Sequence, residues 1–321
     1  MHVTVIGGAG SVGSTVAYTL AVTVPDVSIR LVDVEGDAAA GHATDIEHAM
    51  NHDTTHAAGR AVAADVRGGS GPVEIAEPGP DVVDDTDCIV AVYNVSRPAE
   101  AVGRGGRDAY FQRNKTVADE LGEWMADVDP RPVVVVTNPV DRITHRLWRA
   151  SRWPRRSFVG YSLSETARAA AELGRLRDAD PGDVRCPMMG EHGEHVVPIF
   201  SKTTVGGNQV SLDEEERQRV VDYVRDVPYE VMEQRGADES SRWVSGRGAA
   251  AVVHAILTEG TDEPVCLSVP LKGEYGYEDV CMSVPVTLSA GGWDEIEHWE
   301  LSDWEQDRLN AAYRHLAETD A

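Results

Sequence analysis

Ile6-Gly7-Gly8-Ala9-Gly10-Ser11-Val12-Gly13, with Asp33 twenty positions beyond the last glycine, is the stretch on which the fold turns. Gly8, Gly10 and Gly13 match G-x-G-x-x-G, and the flanks supply the context that a lone match lacks. Val3-Thr4-Val5-Ile6 predicts a buried strand ending at the glycines. Ser11 to Val22 predicts a helix that starts inside them, and Ser28-Ile29-Arg30-Leu31-Val32-Asp33 a second strand that ends in an acid. A dinucleotide site needs that order. Gly8 is expected to permit the tight turn, Gly10 to let a pyrophosphate approach the backbone, and Gly13 to let helix and strand pack closely. The helix start, at Ser11 and Val12, offers N–H groups and a partial positive charge to phosphates.

Asp33 selects between cofactors. A carboxylate at the end of the second strand can accept both hydroxyls of an adenine ribose and repels a 2′-phosphate. Val34-Glu35-Gly36-Asp37 brings no cation to receive one. The expected cofactor is NAD.

The chain has 321 residues, 42% of them hydrophobic, enough for two domains with full cores. No run approaches the ~20 apolar residues of a membrane span. The first strand is expected to begin at about His2, so no signal peptide is expected. Cys88, Cys186, Cys266 and Cys281 form no C-x-x-C pair and are expected to be reduced, mostly buried thiols. A cytoplasmic location is therefore expected. Asp and Glu number 54 against 29 Lys and Arg, a net charge of −25, and only three of the basic residues are lysine. Such a surface argues against nucleic acid as a partner. It resembles proteins adapted to concentrated salt, in which cations screen the self-repulsion.

The first ~140 residues alternate strand and helix patterns. Cys88–Val92 and Pro132–Thr137 are further strands, rich in β-branched residues as parallel strands covered on both faces should be. Helices are expected at about 37–50, 107–126 and 139–150, with turn-rich sequence at Gly68–Pro72 and Glu77–Pro80. The second half mixes helices near 164–177, 213–235, 246–259 and 303–317 with strand-like pieces near 186–189, 196–205, 265–271 and 280–288. The prediction is an α/β chain: a Rossmann doubly wound parallel sheet over 1–142 and a C-terminal α+β substrate domain over 143–321.

Gly190-Glu191-His192-Gly193-Glu194 carries the second signal. Flanking glycines leave His192 accessible, and histidine is the side chain best suited to exchange a proton near neutral pH. A dehydrogenase acting on an alcohol needs such a group, because hydride leaves carbon as a proton leaves oxygen. His48, His52 and His56 recur every four residues, but a helix-end stripe is the simpler reading and no metal is expected. Asp213 to Glu216 is expected to be the acidic first turn of a helix.

Taken together, the glycine loop with Asp33, Gly41–His48, Thr137-Asn138-Pro139-Val140-Asp141, Gly190–Gly193 and Leu271–Asp279 resemble the lactate/malate dehydrogenase family. Within it they are most like the lactate-dehydrogenase-like malate dehydrogenases of haloarchaea. The resemblance runs from residue 3 to about residue 316. It implies that His192 is the proton acceptor, that Arg168 grips the substrate's C1 carboxylate with its planar fork, and that Arg107 polarises the reacting carbonyl. It further implies that Asn138 bonds substrate near the nicotinamide, that Asn114 and Val136 line the cofactor site, and that Ser241 shapes the substrate pocket. Arg97 matches the arginine that pairs with the second carboxylate of malate and oxaloacetate. The implied substrate is that pair, with L-lactate or another 2-hydroxy acid as the alternative, and the implied assembly is a homotetramer or homodimer.

Three positions depart from the family pattern. Glu165 stands where an aspartate orients the histidine, one methylene longer. The Arg97–Arg107 loop is about four residues longer than usual, and Arg104 is a rival for Arg97. Asp238-Glu239-Ser240 looks inserted beside the pocket. Glu165 and the loop motivate a reading of another class, a diverged NAD-binding relative with little catalysis.

The charge balance predicts dependence on salt. Dialysis out of concentrated KCl should unfold and inactivate the protein, followed by circular dichroism. A spectrum unchanged at low salt would refute the halophilic reading.

Overall fold

The computed structural model describes residues 1–55, 71–95, 107–236 and 241–319, with backbone only for 52–55 and 107. The N-terminal half sets out β1 (His2–Ile6), α1 (Ser11–Thr23), β2 (Ser28–Val32), α2 (Gly36–Thr55), β3 (Val73–Ala76), β4 (Cys88–Ala91), α3 (Arg107–Met125), β5 (Val133–Val135), α4 (Val140–Ser151) and β6 (Phe158–Gly160). These six strands run parallel in the order β3-β2-β1-β4-β5-β6. That is the doubly wound order, with its switch point between β1 and β4.

Burial along the strands explains the pattern. Val3, Val5, Ile29, Leu31, Cys88, Val90 and Val134 enter one core, while Ile6, Val32, Ile89, Ala91, Val133 and Val135 enter another. Neighbours on a strand point to opposite faces, so a strand apolar at every position needs cover on both. Ala118, Leu121 and Met125 of α3 and Ile143 and Leu147 of α4 cover the second face.

The C-terminal half continues the same sheet. Its elements are α5 (Leu163–Arg177), β7 (Val184–Arg185), β8 (Met188–Gly190), β9 (Val196–Pro198), β10 (Thr204–Val205), β11 (Asn208–Gln209), α6 (Glu214–Arg235), α7 (Arg242–Leu257), β12 (Val265–Lys272), β13 (Glu278–Ser289), β14 (Gly292–Ile296) and α8 (Asp303–Thr319). Beyond β6 the direction changes: β12 pairs antiparallel with β6 through Ser268 and Gly160, and β13, β8 and β9 follow. β7, β10 and β11 form a separate small sheet.

Two strands, β3 and β6, were not expected, and two expected elements needed correction. β3 lies between two turn clusters and presents Glu74 and Ile75 outward, so its four residues show no buried run. β6 is only three residues long and ends in glycine. The expected strand over 196–205 is broken by a 3-10 turn at Phe200–Lys202, and its end leaves for the second sheet. α7 starts at Arg242 rather than 246, because the glycines at 246 and 248 lie inside it. Asp213 caps α6 through a reciprocal capping box with Glu216, so the acidic turn is a helix start as expected.

Those glycines are contact points. A Cβ on Gly246 would sit 2.4 Å from Thr15 Cγ2 and 2.6 Å from Thr15 Cβ. Helix α7 thereby lies against α1, and its Ala249, Ala250, Val252, Val253 and Ile256 join α1 in covering the first face of the nucleotide sheet. Thr15 cannot swing away easily, since its hydroxyl donates to the Ser11 carbonyl at 2.7 Å and its χ1 is stiff. Gly246→Ala should therefore destabilise the protein by about 1–3 kcal/mol, read as a lower urea midpoint in concentrated KCl. An unchanged midpoint would refute the close packing.

Candidate active site

The glycine-rich turn leaves β1 at the switch point. Gly7 takes φ +96°, and a Cβ there would lie 2.5 Å from the Tyr93 backbone. The left-handed turn thus belongs to Gly7 and not to Gly8, as the spacing had suggested. Gly8 instead faces Leu31, whose Cβ a side chain would meet at 2.8 Å, and a Cβ on Gly13 would lie 2.1 Å from the Gly7 carbonyl oxygen. Gly10 caps α1, and the nearest atom to a Cβ there is the Gly7 oxygen at 3.3 Å. Gly7, Gly8 and Gly13 close the turn on itself, while Gly10 keeps its outer side open for a phosphate.

Asp33 fastens the same turn. One carboxylate oxygen accepts the Ala9 N–H at 2.9 Å, and the other accepts the Glu35 N–H at 3.1 Å. A carboxylate has about four acceptor positions, so capacity remains for ribose hydroxyls. Ser11 and Val12 stand in the first turn of α1, where backbone N–H groups have no earlier turn to bond. This donor set fits NAD: an anion at Asp33 for the ribose, and N–H groups at Ser11–Gly13 for the pyrophosphate.

The next wall is made by the ends of β4 and β5. Asn114 is fully buried; its Oδ1 accepts the Val95 N–H at 3.0 Å and its Nδ2 donates to the Asn138 carbonyl at 2.8 Å. It braces the two loops that follow these strands. Val136 is half-buried and bonds the Ala91 carbonyl at 2.8 Å. Asn138 is exposed at the mouth, before a cis bond to Pro139.

His192 sits on the turn between β8 and β9, with Gly190 at φ +89° beneath it. A Cβ on Gly190 would strike the His195 carbonyl at 2.6 Å. The turn is drawn tight by Glu191, whose carboxylate accepts the His195 N–H at 2.9 Å. The ring Nδ1 meets Glu165 Oε2 at 2.8 Å, and Glu165 is 4% exposed. The extra methylene of glutamate therefore does not prevent the contact. With Nδ1–H donating to Glu165, Nε2 is the ring nitrogen left with a lone pair, the one that can take up a proton.

Arg168 follows Glu165 by three residues on α5, hence on the same side of the helix, and is half-buried. Its charge reaches Tyr161, whose hydroxyl burial pushes up to about 12 against the pull of Ser164 and Arg168. Tyr161 donates to the Val244 carbonyl at 3.0 Å, and Ser164 and Ser245 hydroxyls lie 3.5 Å apart. These contacts bring the start of α7, with Ser241 just before its first turn, to the start of α5. Arg107 opens α3. Arg97 and Arg104, the 238–240 segment and His56 lie outside the described residues.

Two residues at the site had no assigned role. Asp141 is 2% exposed; its carboxylate accepts the His192 backbone N–H at 2.7 Å and the Ser268 hydroxyl at 2.6 Å. Its place in Thr137–Asp141 was a signal that something there mattered. Ser268, one polar residue in an apolar strand, carried none.

The arrangement combines a dinucleotide turn, a carboxylate-braced histidine and an arginine on the brace's own helix. Among the described residues no helix is long and apolar enough to cross a membrane. Residues 1–160 match the model of the lactate/malate dehydrogenase NAD binding domain, and residues 165–319 that of the family's alpha/beta C-terminal domain. Malate dehydrogenase of Halobacterium salinarum is 30% identical, covering 98% of this chain and 97% of its own. L-lactate dehydrogenase of Salinibacter ruber is 29% identical, covering 98% and 96%. Among solved structures, malate dehydrogenase from Salinibacter ruber matches with a TM-score of 0.83 and 26% identity over 99% of this chain and 96% of that one. The chain belongs to the lactate/malate dehydrogenase family, as an NAD-dependent oxidoreductase acting on the CH–OH group of a 2-hydroxy acid.

Proposed function

We propose that the protein interconverts malate and oxaloacetate. The observation that carries the catalytic reading is the 2.8 Å contact between His192 Nδ1 and Glu165, on the helix that bears Arg168. In the oxidative direction His192 takes the proton of the substrate hydroxyl, and in the reductive direction returns it to the carbonyl oxygen. Glu165 keeps the ring in one tautomer and stabilises the imidazolium. Arg168 pairs with the C1 carboxylate, and Arg107 polarises the reacting carbonyl. Asn138 bonds the substrate and Ser241 shapes its pocket. NAD, when bound, accepts or supplies the hydride; Gly8, Gly10, Ser11, Val12, Gly13 and Asp33 would hold it, with Asn114, Val136 and Asn138 along its wall.

Arg97 supports malate over lactate, since a second carboxylate needs a cation and pyruvate has none to offer it. Haloarchaeal relatives named malate dehydrogenase support the same choice. We place the protein in the cytoplasm as a homotetramer or homodimer on the family resemblance.

NADH oxidation in concentrated KCl against a panel of 2-oxo acids tests the proposal. Oxaloacetate should be the preferred substrate, and His192→Ala should lower turnover by about 10²–10⁴-fold. Arg97→Gln should depress kcat/KM for oxaloacetate far more than for pyruvate. Equal losses, or a wild-type preference for pyruvate, would favour the lactate reading. Intact NADH binding with no turnover on any acid would favour the diverged binder.

A further inference from the structure

Asp141 is a second buried carboxylate at His192, and each of its oxygens accepts one hydrogen bond. Burial, reinforced by nearby Glu191, pushes its carboxyl up to about 7, against the pull of Ser268 and His192. Asparagine has the same shape and keeps an acceptor oxygen without the burden of a buried charge. The neighbouring cation, Arg142, engages Asp108 and the Thr319 carbonyl and lies over the Phe111 ring. When protonated, His192 is the cation that acts on Asp141. Its mount is equally specific. Ser268 reaches Asp141 from β12 opposite Gly160, where a Cβ would come 2.8 Å from Ser268 Cβ and 2.7 Å from Thr144 Oγ1.

We propose that Asp141 is a positioning residue for His192: held by Ser268, it fixes the histidine through its backbone N–H and places a second negative charge, besides Glu165, in support of the protonated ring. Among the described residues, the charged groups that face it are His192 and Glu191 from the β8–β9 turn, and β12 contributes the Ser268 hydroxyl. The inference rests on His192 being the proton carrier.

Asp141→Asn tests it, with three readouts. First, histidine ring signals are followed by NMR in the protein without substrate, the His192 signal being identified by its loss in His192→Gln. Its titration midpoint should fall by about half a pH unit or more. Second, kcat/KM for 2-oxo acid reduction should drop at least about tenfold, with its alkaline limb moved to lower pH, while NADH affinity by fluorescence stays within about twofold. Third, stability is compared at pH 5 and pH 8. Burial raises the folded-state carboxyl above its unfolded value of 3.8, so the wild type loses stability as pH climbs from about 4 to about 7 and the variant does not. The urea midpoint of the variant relative to the wild type should therefore rise between the two pH values.

An unmoved His192 titration, or a variant that loses more stability at pH 8 than at pH 5, would overturn the proposal and leave Asp141 a structural anchor. If Asp141→Asn fails to fold, Ser268→Ala removes the hydroxyl that favours ionised Asp141 and should move the His192 midpoint the same way. A wild type that reduces no 2-oxo acid refutes the proposed function, and the NMR titration still decides the placement of charge.

Discussion

The pairing of Gly160 with Ser268 joins the parallel half of the sheet to the antiparallel half. A side chain at 160 would collide with Ser268 and with Thr144 on α4, so the bare backbone there is what allows β12 and α4 to close on the same edge. Protein interiors pack too densely to absorb such an intrusion. From that junction Ser268 reaches Asp141, and Asp141 reaches the backbone of His192. The His192 turn is thus referenced to the nucleotide sheet through a chain of two hydrogen bonds, not only through the loop that carries it.

The second constraint is the seat of α7 on α1. Gly246 lets the helices approach, and the C-terminal half then contributes apolar cover to the nucleotide sheet. The two halves share a core, and the first turn of α1 and the start of α7 are placed by the same packing. A site assembled from both halves needs that shared reference, because errors of about 1 Å in position are expensive in rate.

Charge is distributed unevenly. The surface carries the acidic excess, while Glu165, Asp141 and Glu191 are buried around one histidine. Buried carboxylates are unfavourable unless hydrogen-bonded or faced by a positive charge. Glu165 meets the imidazole ring, Asp141 a backbone N–H and a hydroxyl, and Glu191 a backbone N–H. The exchange of aspartate for glutamate at 165 is absorbed within this arrangement, since the carboxylate still reaches Nδ1.

Sequence alone determined the nucleotide fold, because each step is local: an apolar strand, a glycine turn, a helix start, an acid twenty residues on. Parallel strands buried on both faces are apolar at every position, and such runs are readable without partners. The meeting of His192 with Glu165 was legible through the family's motifs. Tertiary structure alone decided the rest. β3 and β6 are too short or too exposed to stand out, and they became strands because neighbours in the sheet offered hydrogen bonds. Gly7 rather than Gly8 took the left-handed turn because Tyr93, some 86 residues away in the chain, crowds it. Whether a longer acid at 165 could reach the imidazole depended on the distance between α5 and the β8–β9 turn. Asp141 and Ser268 meet across 127 residues of chain, and no local pattern encodes a hydrogen bond between elements that only folding brings together.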